Sequence, residues 1–369
     1  MVDVKNFVKH LQYKGIEYFS GVPDSVLTPF IDYLVKLDKT IKHRIATNEG
    51  SAVALASGYH LAKKKIPLVY LQNSGLGNAL SPLTSLVDEK VYSIPMIILV
   101  GHRGAPNIPD EPQHNKLGPE LLKILKAHRY KYFKLNKDNY KNFISKAIFE
   151  AKKKLCPVFL IVDKNFFKIE KTNKKAKKSK TKFLKRYDYL NVLLKNKNHS
   201  KSLFVASTGF TGRELYSIGK NLKKENQCFY NIGAMGHANQ IGLEISLNSK
   251  KKVVILDGDG AIQMHMGNLA LLGKYKSRNI LHVLFNNKVH ESTGGQPVAN
   301  QHLNYSLIFK GCGYDIVKTI NNLNQFIKEI SKSQKKLTAL IINIEPGTIK
   351  SLPRPKENAK YLKRIFKVI

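Results

Sequence analysis

The chain has 369 residues, and 62 Lys and Arg against 26 Asp and Glu give it a formal net charge of +36. Such a charge suggests a nucleic-acid or anionic-membrane partner. A hydrophobic fraction of 43% with 9% aromatic residues is nevertheless enough for sizeable buried cores, and it excludes a disordered basic tail protein.

At about 150 residues per domain, the length predicts two domains. The cysteines Cys156, Cys228 and Cys312 lie far apart, which argues against a disulfide framework or a cysteine-built zinc site. The N-terminal segment is broken by charges too often for a signal peptide, and the clean apolar run at 94–100 is far shorter than the roughly 18 residues of a membrane span. We therefore expect a soluble, cytoplasmic protein without a membrane partner.

Short apolar runs alternate with amphipathic stretches along the chain. Because they are rich in β-branched residues and bounded by Pro or Gly, the runs predict buried strands. In the first half the predicted strands are 66–72, 94–101 and 156–163, and the predicted helices are Glu49–Lys63, 77–89 and 119–125. In the second half the predicted strands are 202–208, 252–258, 279–287 and 337–345. This alternation predicts two α/β domains with parallel sheets covered on both faces.

A basic segment separates the two series. Residues 164–186 contain 11 basic residues and a single acid, Glu170, and they lack an apolar period. We interpret this segment as a solvated linker and predict domains at 1–165 and 191–369, joined by residues 166–190. A nucleic-acid-binding arm is the alternative, but the segment lacks interleaved Gly and aromatic residues, so we expect no nucleic-acid partner.

The strongest chemical signal is a strand, Val253 to Leu256, that runs into Gly258-Asp259-Gly260 and a helix beginning near Ala261. Twenty-five residues, 261–285, then precede Asn286-Asn287 at the end of the next strand. Glycines at a strand-to-helix turn let the backbone approach a ligand, and a helix N-terminus offers N–H groups to a phosphate. Asp259 and Asn287 supply hard oxygens that, with a diphosphate, complete a site for Mg²⁺.

Simpler interpretations exist for this segment. Asp-Gly is a common turn, so an isolated GDG is most often structural. A calcium loop is excluded because Ala261 stands where another oxygen ligand is required, and a dinucleotide fingerprint because Gln263 stands where the third glycine belongs. In the first half, Glu49 follows a predicted strand end at 43–47 and opens a helix, where an acid often only complements the helix dipole.

GDG, about 25 residues and NN together resemble the fingerprint of thiamine-diphosphate enzymes. The resemblance implies two doubly wound parallel-sheet domains of the thiamine-diphosphate-binding fold, without a central third domain. It also implies that Asp259, Asn287 and the carbonyl of Val289 hold Mg²⁺ and that Gly258 to Ala261 contact the cofactor. In the same way, the Gly233 carbonyl would accept from the aminopyrimidine, Met235 would support the bent cofactor, and Glu49 would protonate the pyrimidine ring.

Further motifs resemble the phosphonopyruvate decarboxylase family over nearly the whole chain. They are Gly21 to Ser25, Gln72 to Asn78, Arg103-Gly104, Asp110 to His114 and His290 to Pro297. The resemblance implies decarboxylation of 3-phosphonopyruvate to phosphonoacetaldehyde and CO₂ in phosphonate biosynthesis. Arg103 is our first candidate for the phosphonate, because a guanidinium binds such oxygens in a bidentate fork.

The remaining candidates for proton handling and substrate orientation are Asp24, Ser25, Asn73, His114 and His290. The resemblance further implies a homodimer or larger assembly, with active sites at subunit interfaces and a small anionic 2-oxoacid as substrate. Sulfopyruvate decarboxylation and an acetolactate-type carboligation would use the same cofactor residues and stay open. A basic nucleic-acid-binding protein is the alternative outside the enzymes.

Overall fold

The structure is a computed structural model that describes residues 1–37, 40–168, 183–349, 352–353 and 357–368. Most of the predicted linker, residues 169–182, lies outside the described residues. The chain divides into two compact units: unit 1 comprises Met1–Lys174 and Thr293–Ala299, and unit 2 comprises Lys175–Ser292 and Asn300–Ile369. No helix in the described ranges is long and apolar enough to cross a membrane.

Helices and strands alternate through both units. The α-helices are α1 Val4–Tyr13, α2 Thr28–Lys36, α3 Glu49–Lys63, α4 Leu76–Ser85, α5 Leu117–Ala127, α6 Tyr140–Lys154, α7 Arg186–Lys195, α8 Phe210–Asn221, α9 Ala238–Leu247, α10 Asp259–Met264, α11 Asn268–Tyr275, α12 Tyr305–Gly311, α13 Leu323–Ile330 and α14 Ala359–Ile365. The strands are β1 Tyr18–Gly21, β2 Lys42–Ile45, β3 Leu68–Gln72, β4 Met96–His102, β5 Lys131–Lys134, β6 Pro157–Asp163, β7 Leu203–Ala206, β8 Cys228–Tyr230, β9 Val253–Gly258, β10 Ile280–Asn286, β11 Val289–His290, β12 Gln296–Pro297, β13 Ile316–Ile320 and β14 Thr338–Asn343.

Unit 1 is built on a six-stranded sheet with the strand order β2-β1-β3-β4-β6-β5. Every pair is parallel; in the pair of β4 and β6, Met96 lies beside Pro157. All seven residues of β4 are buried, as expected for a parallel strand with helices on both faces. The chain crosses from β2 back past β1 to β3, so the order reverses between β1 and β3. Open α/β sheets bind ligands at the carboxyl ends of strands beside such a reversal.

Unit 2 repeats this architecture with the strand order β13-β14-β10-β9-β7-β8, again with parallel pairs. Strand β9 supplies both cores because successive side chains point to opposite faces. Val254 and Leu256 pack into one buried cluster, whereas Val253 and Ile255 pack into the other. Here the strand order reverses between β7 and β9, and the GDG segment follows β9.

The predicted fold class is confirmed: both units are doubly wound parallel α/β sheets. All seven predicted strands form, and α3 has the predicted bounds, with Asn48 as its N-cap. Sequence reasoning did not list β1, β5, β8 and β13. Strands β5 and β13 are only partly buried at sheet edges, so their sequences, KYFK and IVKTI, carry too many polar residues to give a clear apolar run.

Candidate active site

A pocket of about 70 Å³ lies in unit 2 at the carboxyl ends of β7, β9 and β10. It collects residues far apart in sequence, because neighbouring parallel strands end at the same edge of the sheet. Its lining includes Ser207 and Thr208 after β7, Gly258 to Ala261 after β9, and Asn287, Val289 and His290 after β10. The two halves of the GDG and NN pattern therefore face one cavity.

Asp259 is almost fully buried in this pocket. Its Oδ1 accepts from the Gly260 N–H at 3.0 Å and its Oδ2 from the Lys288 N–H at 2.6 Å. Burial raises the pKa of Asp259 to about 6, although these backbone donors and Arg186 oppose the rise. A carboxylate that burial destabilises in this way is stabilised by a nearby cation.

Asn287 lies opposite Asp259 in a tight turn. The turn requires Lys288 to adopt a left-handed conformation with φ +64°, which directs the Lys288 N–H to Asp259. Asn287 Oδ1 accepts from the Val289 N–H at 3.1 Å, and Asn287 Nδ2 donates to Glu291 at 3.2 Å. The amide orientation is therefore fixed on both sides.

His290, Met235 and Gly260 pack together in the same pocket as Asp259 and Asn287. A Cβ on Gly260 would lie 2.9 Å from the His290 ring and 3.3 Å from the Met235 side chain, so a glycine is needed there. Burial lowers the pKa of His290 to about 4, which keeps its ring neutral at pH 7. Met235 lines the pocket, whereas Gly233 is exposed and its carbonyl accepts from the Met235 N–H at 3.0 Å.

A buried network of ion pairs, which sequence reasoning did not predict, adjoins the pocket. Arg186, the first residue of α7, donates to Glu214 of α8 and to Glu291. The charge pattern concealed Arg186, because it stands at the end of a lysine-rich run that we interpreted as solvated. Only the fold directs this cation inward.

In unit 1, Glu49 is the first residue of α3 and is nearly fully buried. Its Oε2 accepts from Asn78 Nδ2 at 2.8 Å. Gly75 allows this approach, because a Cβ there would lie 2.1 Å from Glu49 Oε1. Burial raises the pKa of Glu49, and the Asn78 hydrogen bond opposes the rise. The Glu49 carboxyl group therefore keeps its proton to a higher pH than an ordinary Glu does.

Asp24 follows β1 and is fully buried. Its Oδ2 accepts from the N–H groups of Val26 and Leu27 at 3.1 and 3.2 Å, while its Oδ1 has no hydrogen-bond partner in the described part of the chain. Burial raises the pKa of Asp24 to about 7, and Arg103 opposes the rise. Gly101 leaves room for the carboxyl group, since a Cβ there would lie 2.0 Å from Oδ2.

Arg103 follows β4 and is held on several sides. Its guanidinium forms a bidentate pair with Asp110, through Nε at 2.7 Å and through Nη2, and its Nη1 donates to Ser25 Oγ at 2.6 Å. Asn73 exchanges two hydrogen bonds with the Arg103 backbone, at 2.9 and 3.0 Å. The fork that we assigned to a phosphonate is thus occupied by Asp110, and an anion would meet the N–H groups that remain.

His114 lies near this cluster and is buried. Its Nδ1 has no hydrogen-bond partner among the described residues. Burial, followed by the positive charge of Arg103, lowers the pKa of His114. The unit 1 candidates Asp24, Ser25, Asn73, Arg103 and His114 therefore form one group around Arg103, and a turn at 73–75 connects this group to Glu49.

The residues of the unit 2 pocket have the chemistry that thiamine diphosphate and Mg²⁺ require. Asp259, Asn287 and the Val289 carbonyl provide the hard oxygens that Mg²⁺ prefers. The raised pKa of Asp259 shows that burial outweighs the stabilisation of its carboxylate by the backbone donors and Arg186. At Gly258 an added Cβ would meet nothing within 4 Å, so the backbone borders open space where a ligand can approach. Within the described residues, no cluster of three or more His, Cys, Asp and Glu side chains is suited to a metal.

Comparisons with known proteins identify the family of the chain. Residues 4–124 match the thiamine pyrophosphate enzyme N-terminal TPP binding domain, and residues 215–343 match the C-terminal TPP binding domain. Over 385 aligned residues, the chain is 30% identical to a phosphonopyruvate decarboxylase of Streptomyces viridochromogenes, covering 100% of this chain and 94% of the relative.

A sulfopyruvate decarboxylase of Methanosarcina acetivorans is 25% identical over 348 residues, with 87% of each chain covered. The sulfopyruvate decarboxylase subunit beta of Methanocaldococcus jannaschii is 35% identical over 150 residues, which cover 40% of this chain and 77% of the subunit. The chain belongs to the thiamine diphosphate enzymes and, among them, to the family of the Streptomyces viridochromogenes phosphonopyruvate decarboxylase.

Proposed function

We propose that the protein decarboxylates 3-phosphonopyruvate to phosphonoacetaldehyde and CO₂, with thiamine diphosphate and Mg²⁺ as cofactors. The observation that carries this proposal is the similarity to phosphonopyruvate decarboxylase over the full chain, which includes both halves of the site. The carboxyl, amide and glycine positions described above are those that a thiamine-dependent decarboxylase needs.

Bound in the site, thiamine diphosphate supplies a carbon nucleophile and an electron sink for loss of CO₂. Burial raises the pKa of Glu49, which favours its protonated form and suits the exchange of a proton with a basic ring nitrogen. Asn78 and Gly75 fix the direction of the carboxyl group. Asp259, Asn287 and Val289 would hold Mg²⁺, and Met235 would support the cofactor from the same pocket.

The group around Arg103 is our proposed substrate end of the site. The Asp24 pKa of about 7 allows this residue to carry or release a proton at Oδ1 under physiological conditions. His114, with a lowered pKa, is a neutral donor or acceptor there. Arg103 keeps one N–H on Nη1 and one on Nη2 beyond its bonds to Ser25 and Asp110, and these would address the anionic group of the substrate.

Sulfopyruvate is the second candidate substrate, because a relative that is similar over 87% of the chain is named a sulfopyruvate decarboxylase. Its sulfonate carries a single negative charge, whereas a phosphonate carries close to two at neutral pH. The two substrates therefore make different demands on the charge around Arg103. An acetolactate-type carboligation would require pyruvate, which lacks the distal anion altogether.

A side-by-side turnover assay tests the proposal. Purified protein with thiamine diphosphate and Mg²⁺ is given 3-phosphonopyruvate, sulfopyruvate or pyruvate, and aldehyde release is measured with an NADH-coupled dehydrogenase. We expect the highest kcat/KM with 3-phosphonopyruvate and no turnover after chelation of Mg²⁺. A higher kcat/KM with sulfopyruvate or pyruvate would refute the substrate assignment, and Glu49→Gln serves as the inactive control.

We also propose that the protein forms at least a homodimer. Leu55 and Leu61 on α3 expose 43% and 56% of their surface, although this helix begins with the buried Glu49. A second copy that covers these side chains would remove apolar surface from water next to the proposed site. Light scattering after size-exclusion chromatography tests this assembly, and a mass of one subunit would contradict it.

A further inference from the structure

Arg186 is a buried cation between two acids. Its side chain is 5% exposed, and it donates through Nε to Glu214 Oε2 at 2.9 Å and through Nη2 to Glu291 Oε2 at 3.0 Å. Charge-assisted contacts of this kind are strong and directional in a buried setting. Arg186 therefore holds Glu291 in one position relative to α7 and α8.

Glu291 in turn fixes the orientation of the Asn287 amide. Its Oε2, the oxygen that Arg186 contacts, also accepts from Asn287 Nδ2 at 3.2 Å. A carboxylate can only accept, so the nitrogen of the amide must face Glu291 and the oxygen must face the other way. The second Glu291 oxygen, Oε1, accepts from the Gly347 N–H, which secures the carboxylate from the other side.

Arg186 and Glu291 line the pocket together with Asp259 and Asn287. The network of Arg186 and Glu291 thus adjoins both side chains that would bind Mg²⁺, and it contacts Asn287 directly.

We propose that Arg186, acting through Glu291, is a positioning residue that presents Asn287 Oδ1 to Mg²⁺. This inference rests on the proposed function, because it assumes the thiamine diphosphate and Mg²⁺ site. Groups that orient metal ligands typically contribute a factor of 10 to 100 to metal affinity. Arg186 performs this role from the segment that the sequence alone assigned to a solvated linker.

The test measures Mg²⁺ binding directly, without substrate. Isothermal titration calorimetry gives the Mg²⁺ Kd of the full chain in saturating thiamine diphosphate for the parent, Arg186→Lys and Glu291→Leu. Arg186→Lys keeps the buried charge but loses the planar fork, and Glu291→Leu leaves the Arg186–Glu214 pair in place. Circular dichroism identifies the variants that are folded, and only these are compared. Arg213→Met is the matched control, because the Arg213 side chain instead donates to the Leu352 carbonyl at 2.7 Å.

We expect both variants to raise the Mg²⁺ Kd about 10- to 100-fold, while Arg213→Met stays within twofold of the parent. A Kd within twofold of the parent in either folded variant would overturn the inference but leave the proposed function standing. A parent protein that binds neither Mg²⁺ nor thiamine diphosphate would overturn both, which distinguishes the two failures.

Discussion

Replacement of Asp24 by Asn should reverse a pH-dependent loss of stability in the cofactor-free protein. Burial raises the pKa of Asp24 to about 7, against about 3.9 in an unfolded chain. Between these pH values the folded state binds the Asp24 proton more tightly than the unfolded state does. The contribution of Asp24 to the free energy of unfolding is therefore largest below about pH 4 and falls as the pH rises to about 7. A difference of about three pH units, at about 1.4 kcal/mol each, corresponds to about 4 kcal/mol.

The asparagine side chain introduced by Asp24→Asn would keep an oxygen for the N–H groups of Val26 and Leu27 but would not ionise. Urea unfolding followed by circular dichroism, at intervals from pH 4 to pH 8, gives the free energy of unfolding for the parent and for the variant. Glu49 and Asp259, whose pKa values are also raised, contribute equally to both proteins and cancel in the difference.

We expect the variant to gain up to about 4 kcal/mol relative to the parent as the pH rises from 4 to 8. Asp138→Asn, at an exposed position of the same unit, is the control and should follow the parent. Parallel stability curves for the parent and Asp24→Asn would contradict this account, because they would mean that Asp24 ionises with equal ease in both states.

Three further outcomes follow from the site. Glu49→Gln should lower kcat by a factor of about 10² to 10⁴, the usual contribution of general acid–base catalysis. Calorimetry should show an unchanged affinity for thiamine diphosphate, because the glutamine oxygen can still accept from Asn78. Turnover near that of the parent would rule out the role of Glu49. Gly75→Ala should reduce kcat at least about tenfold, since its Cβ would lie 2.1 Å from Glu49 Oε1, whereas Gly77→Ala, whose Cβ meets nothing within 4 Å, should turn over like the parent. Asp259→Asn should raise the Mg²⁺ concentration needed for half-maximal activity by about 10-fold or more, as loss of a charged ligand predicts, and an unchanged Mg²⁺ requirement would count against its assignment as a ligand.

The sequence predicted the central strands well because they are buried on both faces. Runs such as 94–101 and 156–163 are apolar throughout, and each became a strand of the unit 1 sheet. Edge strands such as β5 were not predicted, because their half-exposed positions tolerate Lys and Tyr and so give no apolar run. The GDG and NN segments could be paired from the sequence because each follows a predicted parallel strand, and the carboxyl ends of neighbouring parallel strands meet at one edge of a sheet.

The roles of other charged residues depend on partners that no spacing announces. Arg103 has the chemistry of an anion binder, yet its fork is paired with Asp110, seven residues further along a loop. Arg186 resembles its lysine neighbours in sequence, but the start of α7 buries it against Glu214 and Glu291, 28 and 105 residues away. Such pairings arise from the path of the backbone, which local patterns do not encode.

Local sequence patterns were enough to predict the two α/β units and to draw attention to the GDG and NN segments, because each depends on short-range order or fixed spacing. The roles of Glu49 and of the proposed metal ligands were implied by the family resemblance and stay predictions. They also left the +36 charge as a property of scattered lysines, with steering of anionic ligands as its most direct consequence. The fold was needed to show which acids have raised pKa values, since burial is the largest cause of the rise for Asp24, Glu49 and Asp259. Solvation and pairing are properties of three-dimensional surroundings, and for that reason the electrostatics of the site became visible only once the chain was folded.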